Sequence, residues 1–192
     1  MQISIIGAGN MASGIAARAL AGGHRVRLTD RDPAKAKTLA EDLRERVPGA
    51  DVAAQDAAVL GGTDIVVLAL PFAAAEEIAA AHREQLAGKT VVDISNPVDF
   101  GTFDSLVVPP GTSAAEQIAA AAPGAHVVKA FNTTFAGNLV AGEAGDPRYQ
   151  LVQRDQDPRL TSVRSRFSFS NRGAPPATHC MARPMRSSGK SC

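Results

Sequence analysis

Gln2-Ile3-Ser4-Ile5-Ile6-Gly7-Ala8-Gly9-Asn10-Met11-Ala12 is the stretch on which the fold of this 192-residue chain turns. Gln2 to Ile6 is short, apolar and rich in β-branched side chains, the composition of a parallel strand buried on both faces. The run stops at Gly7, and Asn10 to Ala21 then has helical composition, closed by Gly22 and Gly23 as a C-terminal stop. Between the two, Gly7, Gly9 and Ala12 fall at the spacing G-x-G-x-x-G/A. Each small residue answers a physical demand. The first permits a tight turn, the second lets a pyrophosphate approach the backbone at the helix N-terminus, and the third lets the helix pack close to the sheet. The spacing alone also occurs in glycine turns that bind nothing. Here a strand precedes it and a helix follows, the context that gives it meaning as a dinucleotide-binding turn.

Working outward, Arg25 to Thr29 alternates as a second strand, and Asp32 and Pro33 open a second helix as N-cap and first helical residue, running to about Arg46. Asp51 to Ala54 reads as a short third strand, and Ile65 to Ala69 as a strong fourth that ends at Leu70-Pro71. A helix from Ala73 to Leu86 follows, then a fifth strand at Thr90 to Ile94, a helix from Ser113 to Ala122 capped by Ser113, and a sixth strand at His126 to Ala130. Strands alternating with helices imply a parallel sheet covered on both faces, and right-handed crossovers make it a Rossmann-type doubly wound α/β domain. From Asp155 onward the pattern dissolves into Ser, Arg, Pro and Gly with no amphipathic period. The expected organisation is a dinucleotide-binding domain over residues 1–153 and an irregular basic tail over 154–192.

Charge follows the same division. Met1 to Gln153 carry 12 Lys and Arg against 17 Asp and Glu, whereas Arg154 to Cys192 carry 8 against 2. The whole chain is close to neutral at +1, which gives no preference for polyanions and argues against a nucleic-acid partner. Both cysteines, Cys180 and Cys192, lie in the tail, so no cross-link or thiolate metal site is expected in the folded part. The most apolar stretch, Ile65 to Ala75, is interrupted by Pro71 and is about half of the ~20 residues a membrane helix needs. A cytoplasmic protein with no membrane partner is the resulting expectation.

At the end of the second strand Asp30 stands where a carboxylate would accept the ribose hydroxyls of NAD and repel the 2′-phosphate of NADP. Arg31 and Lys35 argue the other way, since a guanidinium and an ammonium there can pair with that phosphate. They also fit a solvated helix start, and the residues leave the choice of cofactor open.

Five segments in one order carry a more specific signal: the glycine turn, Leu68-Ala69-Leu70-Pro71-Phe72, Asp93 to Phe100 with Ser95-Asn96-Pro97 inside it, Pro109 to Glu116, and Val128 to Thr133. With them the chain resembles, over about Met1 to Val140, the NADPH-dependent coenzyme F420 reductases, also called F420-dependent NADP oxidoreductases. The resemblance implies direct hydride transfer between NADP(H) and the deazaflavin of coenzyme F420, with both rings stacked at the C-terminal ends of the strands. Such a reaction needs proximity more than acid or base, and no catalytic side chain is implied. Carried over by motif, Gly7, Ala8, Gly9, Asn10, Met11 and Ala12 form the phosphate turn, and Arg31 and Lys35 hold the adenosine end. Leu70, Pro71 and Phe72 border the cofactor, Ser95, Asn96 and Pro97 reach its nicotinamide end, and Phe131 and Asn132 wall the two rings apart. Asp30 departs from the small polar residue usual in the family, which keeps NAD in play. The family's further sheet strand and C-terminal helix, which help wall the acceptor site, have no counterpart in this chain beyond a remnant at Tyr149 to Gln153.

Other residues carry less. Lys129 reads as a structural or surface lysine, and Asp93 and Asp99 as turn caps. The four histidines are scattered without ligand spacing, and no metal site is expected. Besides the hydride-transfer reading, two others remain. One is a nucleotide-binding or redox-sensing protein with little turnover because its acceptor wall is missing; the other is an NAD(P)H-dependent ferric or flavin reductase. The fold often dimerises, so a homodimer is open as well. Because the tail cannot bury enough apolar surface to offset the entropy of ordering it, limited proteolysis is expected to cut rapidly beyond Arg154 and leave a core that still binds cofactor. A tail as resistant as that core would overturn this reading.

Overall fold

The structure, a computed structural model, describes residues 1–55 and 59–141; the strand remnant expected at Tyr149 to Gln153, the domain boundary near 153 and the tail lie outside them. The elements run β1 (Gln2–Ile6), α1 (Asn10–Ala21), β2 (Arg25–Thr29), α2 (Pro33–Arg46), β3 (Val52–Ala54), β4 (Ile65–Leu68), α3 (Phe72–Ala81), α4 (Arg83–Leu86), β5 (Thr90–Asp93), α5 (Ala114–Ala121), β6 (His126–Lys129) and α6 (Ala136–Ala141). The six strands form one sheet in the order β3-β2-β1-β4-β5-β6, and every neighbouring pair is parallel. That is the Rossmann order, with its reversal of winding between β1 and β4.

Side chains alternate across a strand, and the alternation here divides the core into two layers. Ile3 and Ile5 of β1, Val26 and Leu28 of β2, Ile65 and Val67 of β4 and Val92 of β5 face α1 and α2, meeting Ile15, Ala16, Leu39 and Leu43. Ile6, Val66, Leu68, Val91 and Val127 face the other way, onto Ala75, Ala79, Leu86, Ala115 and Ile118 of α3, α4 and α5. Each fully buried aliphatic side chain contributes about 1.5–3 kcal/mol relative to exposure, so both layers hold the sheet from its two sides. Local chemistry sets the helix starts. Asp32 accepts the Ala34 N–H at 3.0 Å ahead of Pro33. At α5, Ser113 and Glu116 close a reciprocal capping box, which satisfies two otherwise orphaned N–H groups.

Four departures from the expected elements have physical reasons. Strands β4, β5 and β6 end one residue early, at Leu68, Asp93 and Lys129, yet for β4 and β6 the ladder continues one bond further, from Ala69 N–H to the Ile6 carbonyl (2.8 Å) and from Ala130 N–H to that of Asp93 (3.1 Å). The chain is already turning into the loops there. The helix expected from Ala73 to Leu86 starts at Phe72 and breaks at His82, whose φ of −109° and ψ of 18° are not helical; α4 beyond the break carries Leu86 into the core. Third, residues 97–107 form a small hairpin, bridged between Val98 and Leu106, with Phe100 and Phe103 67% and 73% exposed and stacked edge to face.

The fourth is α6, which six residues containing Gly137 and Asn138 did not announce. It docks on α1 at Gly14, where an added Cβ would lie 2.9 Å from Leu139 Cβ and 3.1 Å from the Ala136 carbonyl oxygen. A glycine in mid-helix costs about 1 kcal/mol, and close helix packing is what it gains.

The tightest point of the fold is Gly7, at φ +110°, where a Cβ would stand 2.3 Å from the carbonyl oxygen of Ala69. Gly7→Ala combines a disfavoured φ with a backbone clash and should lower stability by about 3 kcal/mol or more. Gly49→Ala, at φ +80° but with open space around the new atom, should cost only about 1 kcal/mol. Urea unfolding of both variants measures the difference, and equal losses would show that the Gly7–Ala69 approach is unimportant.

Candidate dinucleotide site

In an open α/β sheet the crevice for ligands lies beyond the carboxyl ends of the strands at the reversal of winding. Every residue singled out from the sequence falls at that edge or in the helix it leads into. Gly7, Ala8 and Gly9 follow β1, and Asn10, Met11 and Ala12 are the first turn of α1. Asp30 and Arg31 follow β2, with Lys35 in the first turn of α2; Leu70, Pro71 and Phe72 follow β4, Ser95, Asn96 and Pro97 follow β5, and Phe131 and Asn132 follow β6. A hollow of about 310 Å³ at the opposite edge, between Met1, Asp64 and Lys89, is remote from all of them.

Helix α1 begins with no side-chain cap, and the first N–H groups of a helix have no acceptor within it. Ala12 is fully buried beneath that turn, so the helix comes close to the sheet. At Gly9 nothing lies within 4 Å of where a Cβ would project, and the residue is exposed. The approach to the free N–H groups is therefore open, and the partial positive charge of the helix end faces it.

Asp30 does something the sequence did not announce. Its Oδ2 accepts the Ala8 N–H at 2.8 Å and its Oδ1 accepts the Asp32 N–H at 3.0 Å. The carboxylate thus ties the end of β2 to the glycine turn. Ala8, expected to hold a phosphate, has its N–H engaged by this carboxylate, which leaves Gly9, Asn10 and Met11 as the donors. Arg31 and Lys35 are exposed, and their charged groups have no partner among the described residues.

The other loops are less uniform. Leu70 and Phe72 are half-buried and pack on the α3–α5 layer, whereas Ala8, Met11, Ala69 and Phe131 gather on the α1–α2 layer. Pro71 is exposed. Phe131 has φ +63°, a conformation in which a bulky residue is strained. Its neighbour Asn132 offers its carbonyl to Asn96 Nδ2 at 3.0 Å, and the two side chains approach again at 3.4 Å. The β5 and β6 loops are thereby joined. Asp93 and Asp99 accept the N–H groups of Ser95 and Gly101, each at 2.8 Å, the turn-capping expected of them. Asp93 also forms a buried ion pair with Lys129. That pair was missed; its only sequence signal is that both residues end hydrophobic strands, and a lysine ending a strand is ordinarily a surface residue.

A family model described as NADP oxidoreductase, coenzyme F420-dependent, matches residues 2–97, half of the chain. Rat metalloreductase STEAP3 is 31% identical over 155 residues, covering 81% of this chain and 29% of that protein. Among solved structures, a hypothetical protein from Sinorhizobium meliloti superposes with a TM-score of 0.60 at 31% identity, covering 73% of this chain and 65% of that one. A candidate F420-dependent NADP-reductase from Arthrobacter sp. FB24 does so with a TM-score of 0.60 at 33% identity, covering 72% and 65%. The chain thus spans under a third of the curated relative's length and just under two thirds of each solved neighbour. Among the described residues, no helix is long and apolar enough to cross a membrane. On the family match over β1 to the end of β5, the chain belongs to the coenzyme F420-dependent NADP oxidoreductases.

Proposed function

We propose that this chain binds NADP(H) along the carboxyl edge of its sheet and serves hydride transfer to coenzyme F420 or a similar flavin-like acceptor. The observation that carries the reading is the turn after β1: Gly7 pressed against Ala69, Gly9 open to solvent, and an uncapped helix N-terminus at the reversal of winding. In this reading the N–H groups of Gly9, Asn10 and Met11 hold the pyrophosphate, and Arg31 and Lys35, without partners among the described residues, take the 2′-phosphate. Asp30 accepts the backbone N–H groups of Ala8 and Asp32, so its charge is partly met by N–H dipoles. Ser95, Asn96, Phe131 and Asn132 border the nicotinamide end. Bound NADPH would supply the hydride, and the deazaflavin would accept it together with a proton from solvent. What the protein contributes is proximity and exclusion of water.

The likeness to rat metalloreductase STEAP3 favours a second reading, in which the acceptor is a free flavin or a ferric chelate. NADPH oxidation measured with coenzyme F420, with free flavin and with a ferric chelate separates the readings. Acceleration by F420 alone supports the first, acceleration by ferric chelate or flavin the second, and no acceleration with intact NADP binding a nucleotide-binding protein with little turnover.

Two variants test the cofactor site. Because a Cβ at Gly9 meets nothing in the protein, Gly9→Val should fold as the parent does and lose NADP binding, its side chain occupying the pyrophosphate's place. Undiminished affinity would remove the reading. Asp30→Ser should raise the NADP to NAD affinity ratio by roughly tenfold or more. A carboxylate about 4 Å from one phosphate charge costs about 4 kcal/mol at an effective dielectric near 20, and a third of that is already a factor of ten. A ratio that does not move would show that Asp30 acts only on the turn.

A further inference from the structure

The β5–β6 edge holds a cluster that the phosphate turn does not explain. Asp93 ends β5 and Lys129 ends β6, side by side in the parallel register. Lys129 Nζ lies 2.7 Å from Asp93 Oδ2; Asp93 is completely buried and the lysine side chain is 17% exposed. The same ammonium also donates to the carbonyl oxygen of Ser95, while Asp93 Oδ1 accepts the Ser95 N–H at 2.8 Å. Both backbone polar groups of Ser95 are therefore held by one ion pair. Its side chain is held by nothing: Ser95 is 4% exposed, and its Oγ has no hydrogen-bond partner among the described residues.

Both features are costly. An unsatisfied buried hydroxyl costs about 1–3 kcal/mol, and a buried ion pair often fails to outweigh the desolvation of its charges. A device that only locked two strand ends together would account for the pair, but it would leave the hydroxyl unexplained. A buried hydroxyl left unpartnered at the carboxyl edge of the sheet is a hydrogen-bonding group that a ligand there can satisfy, because it can donate or accept as the partner requires.

Resting on the NADP reading above, we propose that Lys129 and Asp93 are positioning residues for the nicotinamide end of the cofactor. Their ion pair clamps the Ser95 backbone so that the Ser95 hydroxyl meets the nicotinamide carboxamide, which offers an acceptor oxygen and a donor nitrogen. Lys129 touches no reacting atom in this arrangement; it acts through Ser95.

The test compares two ligands by calorimetry: NADP⁺, and 2′-phospho-ADP-ribose, which is NADP⁺ without its nicotinamide. Ser95→Ala, Lys129→Met and the double variant Asp93→Asn/Lys129→Met should each weaken NADP⁺ about tenfold, the value of one hydrogen bond at the upper end of its range. Affinity for 2′-phospho-ADP-ribose should stay within about twofold, well inside a single hydrogen bond. The double variant removes both charges, so the experiment stands even if Lys129→Met alone leaves Asp93 uncompensated and does not fold. Folded variants that bind NADP⁺ as the parent does, or that lose both ligands equally as a merely structural pair would, overturn the proposal. Failure of the underlying NADP reading has a different signature, since the unmutated chain would then bind neither ligand.

Discussion

The contact between Gly7 and the Ala69 carbonyl is the constraint from which the rest of the carboxyl edge follows. With a Cβ position only 2.3 Å from that oxygen, no other residue lets the chain leaving β1 pass so close to the chain leaving β4. The same residue donates its N–H to the Thr29 carbonyl at 2.7 Å, and Ala69 N–H reaches the Ile6 carbonyl. The turn is therefore stitched to the strand on either side. It leaves the sheet at the reversal of winding, and α1 starts there with its free N–H groups toward the crevice.

Electrostatics at this turn are set by Asp30. A carboxylate next to a phosphate-binding loop would ordinarily oppose an anionic ligand. Here each of its oxygens accepts a backbone N–H, one from the turn and one from the start of α2. The acid serves as a brace between β1 and β2 as much as a ligand group. It removes Ala8 from the set of free donors, and the exposed cations Arg31 and Lys35 follow it in sequence.

The far side of the crevice is built by other means. Instead of glycine and a helix end, β5 and β6 use side chains: the Asp93–Lys129 pair inside and the Asn96–Asn132 contacts above it. Phe131 sits between Lys129 and Asn132 in sequence and is held at φ +63°. A left-handed conformation costs a bulky residue about 1–2 kcal/mol. The neighbouring bonds, which pin both loops, keep the backbone there. The two halves thus differ in chemistry, one presenting backbone N–H groups and the other shaped by paired polar side chains.

How much of this was legible follows from what each feature depends on. The strands, the helix starts at Asp32 and Ser113, and the glycine turn rest on local composition, on caps and on period-two alternation, all of which are properties of short segments. They were readable, and with them the parallel Rossmann-type sheet and the edge on which the candidate residues lie. Features that depend on residues far apart in sequence were not. The break at His82 answers the placement of Leu86 in a core built by other elements. Helix α6 is too short to declare itself and forms where Gly14 of α1 leaves room. The bonds of Asp30 to Ala8 and of Lys129 to Asp93 span 22 and 36 residues. From the sequence alone Asp30 is a candidate ribose ligand and Lys129 a structural or surface lysine without a named partner. Only the packing of parallel strands side by side decides that one braces the turn and the other is buried against a carboxylate, because register brings together what chain distance keeps apart.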